Sequence, residues 1–356
     1  MEMTQYIEKP LKQDLRSGSD TYAQISGGGT AYSRKSFLRI RGLCCILVIL
    51  HHLSDHIDAL RLFKYAGYLP VGFFLFCSGY GLVVSQTKKD YLKHLILVRI
   101  PVILLAYLVA NVVYLCVRLV TGTLQQGTLV DFLFGGGALV TYSWYIICVL
   151  YLYGCFWLSH TIFSKHRKLA DLGVICSVVV WVAVMVISGA ARIHRYNAVI
   201  CFMGGYLAGR NSGFKNALVK MPTEITAFWV FLLSFRLAVS CSVHGSAIWI
   251  RLIWMELAVC SFVIIMLNAG SRYVVKVGKS VFDNLAQISL EFYMYQGLMM
   301  LLLRNPLIQV QNDLLFGTMV FIGSLLLGIL MHRVTIWLKV QLESMALRWG
   351  KQNCSI

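Results

Sequence analysis

The sequence contains few charged residues and very little proline. Only 13% of its 356 residues are charged and only five are proline, whereas 58% are hydrophobic and the mean hydropathy is +0.71. A water-soluble domain of this size could not bury so many apolar side chains, so that class is excluded. The natural solvent for such a chain is a lipid bilayer.

Acidic residues are scarce as well, at 15 Asp and Glu against 32 Lys and Arg, which gives a formal net charge of +17. The cations lie in short loops between apolar segments, a distribution that argues against a nucleic-acid partner. With the amino terminus inside, the inner loops hold thirteen Lys and Arg residues and the outer loops hold five. The positive-inside rule therefore predicts both termini in the cytoplasm. We expect a multi-pass protein of the plasma (inner) membrane.

The sequence lacks a recognisable motif for a metal or a disulfide framework. Most of its eleven cysteines lie within apolar runs, where they act as small hydrophobic residues, and there is no CxxC or Cys/His metal spacing. We expect no zinc site and no metal cofactor. Residues 1–36 are polar and lack the apolar core of a signal peptide, which predicts a disordered cytosolic tail.

The apolar runs predict an all-α fold, a polytopic membrane bundle of about ten transmembrane helices. Residues 37–340 would form this membrane domain, followed by a short cytosolic tail at 341–356. Each segment is near the roughly 20 residues that a helix needs to cross a bilayer. The predicted segments are 38–58, 66–86, 95–120, 139–162, 169–190, 196–210, 224–242, 246–268, 284–303 and 315–338.

The first segment combines a cation with imidazoles in an otherwise apolar sequence, RGLCCILVILHH. Arg41 and His52 are eleven residues apart, which on an α-helix is about 1100° of rotation and a rise of roughly 16 Å. They therefore share one face, with His52 about halfway across the bilayer. Polar groups at that depth are costly and often functional. On the residues alone, a catalytic base and a hydrogen-bonded structural histidine are equally good interpretations.

The spacing of an arginine, ten residues and a histidine, followed by the FFLFCSGY segment at 73–80, resembles the acyltransferase-3 family of integral membrane acyltransferases. The resemblance implies transfer of an acyl group, usually acetyl from acetyl-CoA, to a hydroxyl of an envelope or exported carbohydrate. It implies that His52 is the general base and that Arg41 binds the phosphates of CoA. It also implies that the glycine-rich second helix, with Ser78, lines the site.

Further candidates surround this pair. Asp55, three residues after His52 and four after His51, can hold an imidazole nitrogen, or it can be a solvated group at the helix end. His51 is either a packing residue or a helper. Gln296 stands where the family often has histidine, which puts any mechanism with two histidines in doubt. The other residues that we predict to line the substrate site are Trp144, Tyr145, Arg192, Arg195, Arg251, Glu256 and Glu291.

Two other functions remain open at this stage. Buried arginine and histidine also mark substrate pathways, so a transporter or flippase for a lipid-linked or amphipathic substrate is one alternative. A membrane sensor that retains the fold without its chemistry is another. For the enzyme, we expect a carbohydrate or lipid-linked sugar as acceptor and contact with membrane lipid. The sequence does not specify the acceptor, the acyl chain length or the oligomeric state.

Overall fold

The computed structural model describes residues 32–124, 139–187, 198–245, 248–273 and 281–353, and within these ranges its secondary structure is helical without any strand. The predicted all-α helical bundle is confirmed. Eight helices are long and apolar enough to cross a membrane. They are α1 (Arg34–Leu53), α2 (Tyr68–Ser85), α3 (Tyr91–Val120), α4 (Trp144–Ile162), α5 (Arg167–Ile187), α8 (Met221–Val243), α9 (Ile248–Ala269) and the Asp313–Leu342 part of α12 (Asp313–Asn353).

Two of the predicted segments form helices that are too short to count among these eight. They are α6 (Val199–Arg210) and α11 (Ser289–Leu303). The exact number of spans and the side on which the termini lie therefore stay predictions. The remaining short helices include α7 (Ser212–Leu218), α10 (Val281–Gln287) and a 3₁₀ helix (Asp58–Phe63).

Helix α1 begins and ends earlier than the predicted segment 38–58. It begins at Arg34, within the stretch assigned to the tail, because the Ser33 hydroxyl accepts a hydrogen bond from the Ser36 backbone N–H at 3.1 Å and caps the helix. It ends at Leu53, where the chain turns. Residues 1–31, most of the predicted tail, lie outside the described residues.

Helix α2 is the central helix of the bundle. The apolar window of α2 is 83% buried, against 17% for α8 and 22% for α12, whose exposed apolar side chains suit a lipid-facing position. Glycines allow α2 to pack closely against α6, since a Cβ on Gly79 would overlap the Phe202 carbonyl and one on Gly205 would overlap the Phe76 carbonyl. Helix α2 also contacts α1 and α9, and α1 in turn contacts α10 and α11.

Candidate active site

Two cavities lie inside the bundle, and each is named here after one of its residues. The His52 cavity has a volume of about 600 Å³, and the Arg41 cavity has a volume of about 460 Å³. Both volumes fall in the range of about 300–1,000 Å³ that is typical of small-molecule sites. Arg41 and His52 are about 16 Å apart along α1, so the cavities lie at different levels of that helix.

The His52 cavity contains the histidine pair of α1. The His52 side chain is buried and stacks on Tyr142, with ring centroids 3.6 Å apart and an interplanar angle of 19°. The His51 ring lies 4.9 Å from the His52 ring, and its Nδ1 is 3.0 Å from the Phe63 carbonyl oxygen. A neutral His51 therefore carries its proton on Nδ1 and donates it to that carbonyl, which leaves Nε2 as the basic nitrogen.

The position of the His51 ring depends on the residue at 67. A Cβ on Gly67 would overlap three atoms of the His51 imidazole, so the ring lies in space that only glycine leaves open. Together with the hydrogen bond to Phe63, this contact fixes the ring beside His52 at the cavity wall. A supporting interaction of this kind sets the orientation of a functional imidazole.

Asp55 lines the same cavity but does not hold either imidazole. It is exposed, and within the described part of the chain its carboxylate forms neither a hydrogen bond nor an ion pair. This fits the interpretation of Asp55 as a solvated group at the helix end, because α1 ends at Leu53 and Asp55 lies in the following turn. Lys64 and Arg251 are the other charged residues that line this cavity.

The Arg41 cavity is lined by cations and by no carboxylate among the described residues. The Arg41 Nη2 donates to the Ser289 hydroxyl at 2.6 Å and to the Ala286 carbonyl at 3.4 Å, so α1 is tied to the start of α11. Arg99 donates to the Tyr91 hydroxyl at 2.9 Å and also lies over the Tyr153 ring. The basic residues that line the cavity are Arg41, His94, Arg99 and Lys339.

Only a thin layer of side chains separates the two cavities. Tyr293 lines both, and the consecutive residues Trp144 and Tyr145 line the His52 and Arg41 cavities respectively. The Tyr293 hydroxyl donates to the Tyr142 carbonyl at 2.5 Å, and its ring lies edge-on to Tyr145 with centroids 5.5 Å apart. Tyr293 therefore belongs to the wall that the two cavities share.

The structure brings five of the ten predicted lining residues to one cavity or the other. His51, Trp144 and Arg251 lie at the His52 cavity, whereas Ser78 and Tyr145 lie at the Arg41 cavity. Arg192 and Arg195 lie outside the described residues.

Three predicted lining residues, Glu256, Glu291 and Gln296, line neither cavity. Glu291 is buried between α11 and α12, where its Oε1 is 2.9 Å from the His332 Nδ1, because the packing of these two helices turns it away from both cavities. Gln296 is fully buried, and neither of its amide atoms has a hydrogen-bond partner among the described residues. Glu256 is half-buried on α9.

Several lining residues were missed by the sequence analysis. Lys64 and Arg99 are among the loop cations from which the topology is predicted, and nothing else in the sequence distinguishes them. Lys339 and His94 belong to no recognisable motif. Tyr293 had no distinguishing feature in an apolar, tyrosine-rich segment. Within the described ranges, no group of three or more His, Cys, Asp or Glu residues could hold a metal ion.

Comparison with known proteins gives one informative match. A family model described as an acyltransferase domain, for the acyltransferase-3 family, matches residues 37–333. No curated protein and no solved structure matches the chain. The matched segment includes most of α1 and the three cavity-lining histidines, His51, His52 and His94. It confirms the resemblance drawn from Arg41, His52 and the FFLFCSGY segment. The chain therefore belongs to the acyltransferase-3 family and is a multi-pass membrane acyltransferase.

Proposed function

We propose that the protein transfers an acetyl group from acetyl-CoA to a hydroxyl of a cell-envelope or exported carbohydrate. Acetyl-CoA would enter the Arg41 cavity and the carbohydrate would enter the His52 cavity. The observation that supports this assignment is that Tyr293 lines both a cationic cavity and a cavity with two neighbouring histidines. Donor and acceptor could meet there without either having to cross the bilayer.

The Arg41 cavity suits the donor because CoA carries phosphate groups. Arg41, Arg99 and Lys339 supply positive charge, and no carboxylate among the described lining residues opposes it. The hydrogen bonds from Arg41 to Ser289 and Ala286 hold one guanidinium nitrogen in place. In the predicted topology this cavity faces the cytoplasm, where acetyl-CoA is made available to membrane enzymes.

The His52 cavity suits the acceptor because its imidazoles can move a proton. His52 would take the proton of the acceptor hydroxyl as that oxygen attacks the thioester carbonyl carbon. The carbon–sulfur bond then breaks, and the CoA thiolate leaves and takes up the proton. Transfer through an acyl-histidine intermediate would use the same ring as a nucleophile. His51, held through Nδ1, would support the ring of its neighbour.

The test uses purified protein in nanodiscs, labelled acetyl-CoA and carbohydrate acceptors. We expect His52→Ala to lower kcat by about 10²- to 10⁴-fold while acetyl-CoA still raises the melting temperature. We expect Arg41→Gln to raise the KM for acetyl-CoA by about tenfold, because a charged hydrogen bond is lost. His166→Ala is the matched control, since His166 is exposed and lines neither cavity.

Two results would contradict the proposal. Full activity of the His52→Ala variant would show that His52 is not the general base. A wild-type protein that shows no thermal shift with acetyl-CoA and releases no CoA would instead favour the transporter alternative.

A further inference from the structure

Arg251 is a charged residue in an apolar helix, and the described chain does not neutralise it. It lies in the first turns of α9, its Nε is buried, and the structure gives it no hydrogen bond or ion pair with any described residue. The side chain is partly exposed, but a buried guanidinium nitrogen without a hydrogen-bonding partner is costly in a membrane protein. Intramembrane cations of this kind commonly face a polar cavity or a bound anion.

The residue faces the His52 cavity, which has an excess of positive charge. Lys64 and Arg251 are its cations and Asp55 is its one carboxylate among the described lining residues. Asp55 is exposed and forms no ion pair with Arg251. Glu256 is not a counterion of Arg251 either. The two residues are five positions apart on α9, so they are separated by about 140° around the helix. Glu256 also lines neither cavity.

We propose that the acceptor carries an acidic group, a phosphate or a carboxylate, and that Arg251 binds it in the His52 cavity. This inference rests on the proposed function, because it names the chemical class of the carbohydrate acceptor. A guanidinium suits the role because its planar donors match the oxygens of both groups. Arg251 and His52 line one cavity of about 600 Å³, which has room for a sugar-sized acceptor. Arg251 is then the specificity-determining residue of the acceptor site.

The experiment compares acidic and neutral sugars as acceptors in phosphatidylcholine nanodiscs. Glucuronic acid and glucose 6-phosphate are the acidic probes, and methyl glucoside is the neutral one. We expect Arg251→Gln to raise the KM for the acidic probes by about tenfold to a hundredfold, while kcat and the KM for acetyl-CoA stay unchanged. Arg251→Lys keeps the charge and should recover part of the affinity. Arg236→Gln is the matched control, because Arg236 is exposed on α8 and lines neither cavity.

A second measurement separates this inference from the proposed function. Thermal shifts with glucose 6-phosphate are recorded without acetyl-CoA, for wild type, Arg251→Gln and Arg236→Gln. A shift that is lost only in Arg251→Gln supports the anion site even if no acetyl transfer is detected. Transfer that uses acidic and neutral sugars equally, in wild type and variant, overturns the anion site and leaves the acyltransferase assignment intact.

A lipid headgroup is the other source of the same phosphate chemistry. The thermal shifts are therefore repeated in nanodiscs that contain phosphatidylglycerol. If phosphatidylglycerol stabilises wild type more than Arg251→Gln, and glucose 6-phosphate gives no shift that depends on Arg251, the group that Arg251 binds is lipid and the proposal is overturned.

Discussion

The two cavities differ in charge, although they share one wall. The Arg41 cavity has Arg41, Arg99 and Lys339 at its surface without a carboxylate among the described residues. The His52 cavity has neighbouring imidazoles, two cations and one exposed carboxylate. This difference fits two reactants of different chemistry, a strongly anionic donor and an acceptor whose hydroxyl must lose a proton. Under the proposed function, the Arg41 cavity would bind the donor and the His52 cavity would activate the acceptor.

The structural supports of the two cavities differ as well. Arg41 is held by hydrogen bonds to Ser289 and Ala286, so its position depends on the contact between α1 and the start of α11. His51 is held by the Phe63 carbonyl and by the space beside Gly67, both in the short connection between α1 and α2. Substitutions can therefore affect one cavity at a time, except where an element serves both.

The largest effect is expected where the two cavities depend on the same helix. Helix α2 lines both, with Val71 in one and Phe74 in the other. Gly79→Val places side-chain atoms against the Phe202 carbonyl and should separate α2 from α6. We therefore expect loss of folded protein, and with it loss of acetyl-CoA binding and of acetyl transfer. Size-exclusion chromatography of the detergent-solubilised protein measures this.

Gly154→Val is the control for that change, because a Cβ on Gly154 in α4 meets no atom within 4 Å. Normal yield and activity of Gly79→Val would show that the close packing of α2 and α6 does not maintain the cavities.

A smaller effect is expected where the cavities meet. Tyr293→Ala would remove the ring that lines both, so water from the His52 cavity would reach the thioester. We expect release of CoA without any acceptor to rise by at least about tenfold, since a closed site excludes hydrolysis. Thiol titration measures the released CoA.

Tyr293→Phe is the control, since it keeps the ring and loses only the hydrogen bond to the Tyr142 carbonyl. Equal CoA release by wild type, Tyr293→Phe and Tyr293→Ala would mean that Tyr293 does not separate donor from water.

The smallest effect is expected in the His52 cavity alone. Gly67→Ala would displace the His51 ring and disturb its neighbour His52. We expect acetyl transfer to fall by about threefold to tenfold, because small displacements of a reacting group slow catalysis. The KM for acetyl-CoA should not change, and steady-state kinetics with varied donor measures both parameters. Gly154→Ala serves as the control, and a change in donor KM would contradict the independence of the two cavities.

Much of the architecture could be predicted from local pattern. Apolar runs of about 20 residues predicted the helices, because a segment that crosses a bilayer must form its backbone hydrogen bonds within itself. The boundaries were less accurate: the predicted first segment ran to 58, whereas α1 ends at Leu53. A contact between Asp55 and an imidazole required the helix to continue, so the solvated alternative is the one that fits the structure.

The sequence by itself determined the membrane class, the helical fold, and the placement of Arg41 and His52 on one face, because these follow from composition and helical period. Only the tertiary structure decided which side chains share a cavity. Lys339 joins Arg41, and Arg251 joins His52, across hundreds of residues of chain. Glu291 instead pairs with His332. Such neighbours depend on how distant helices pack, which a local pattern cannot specify.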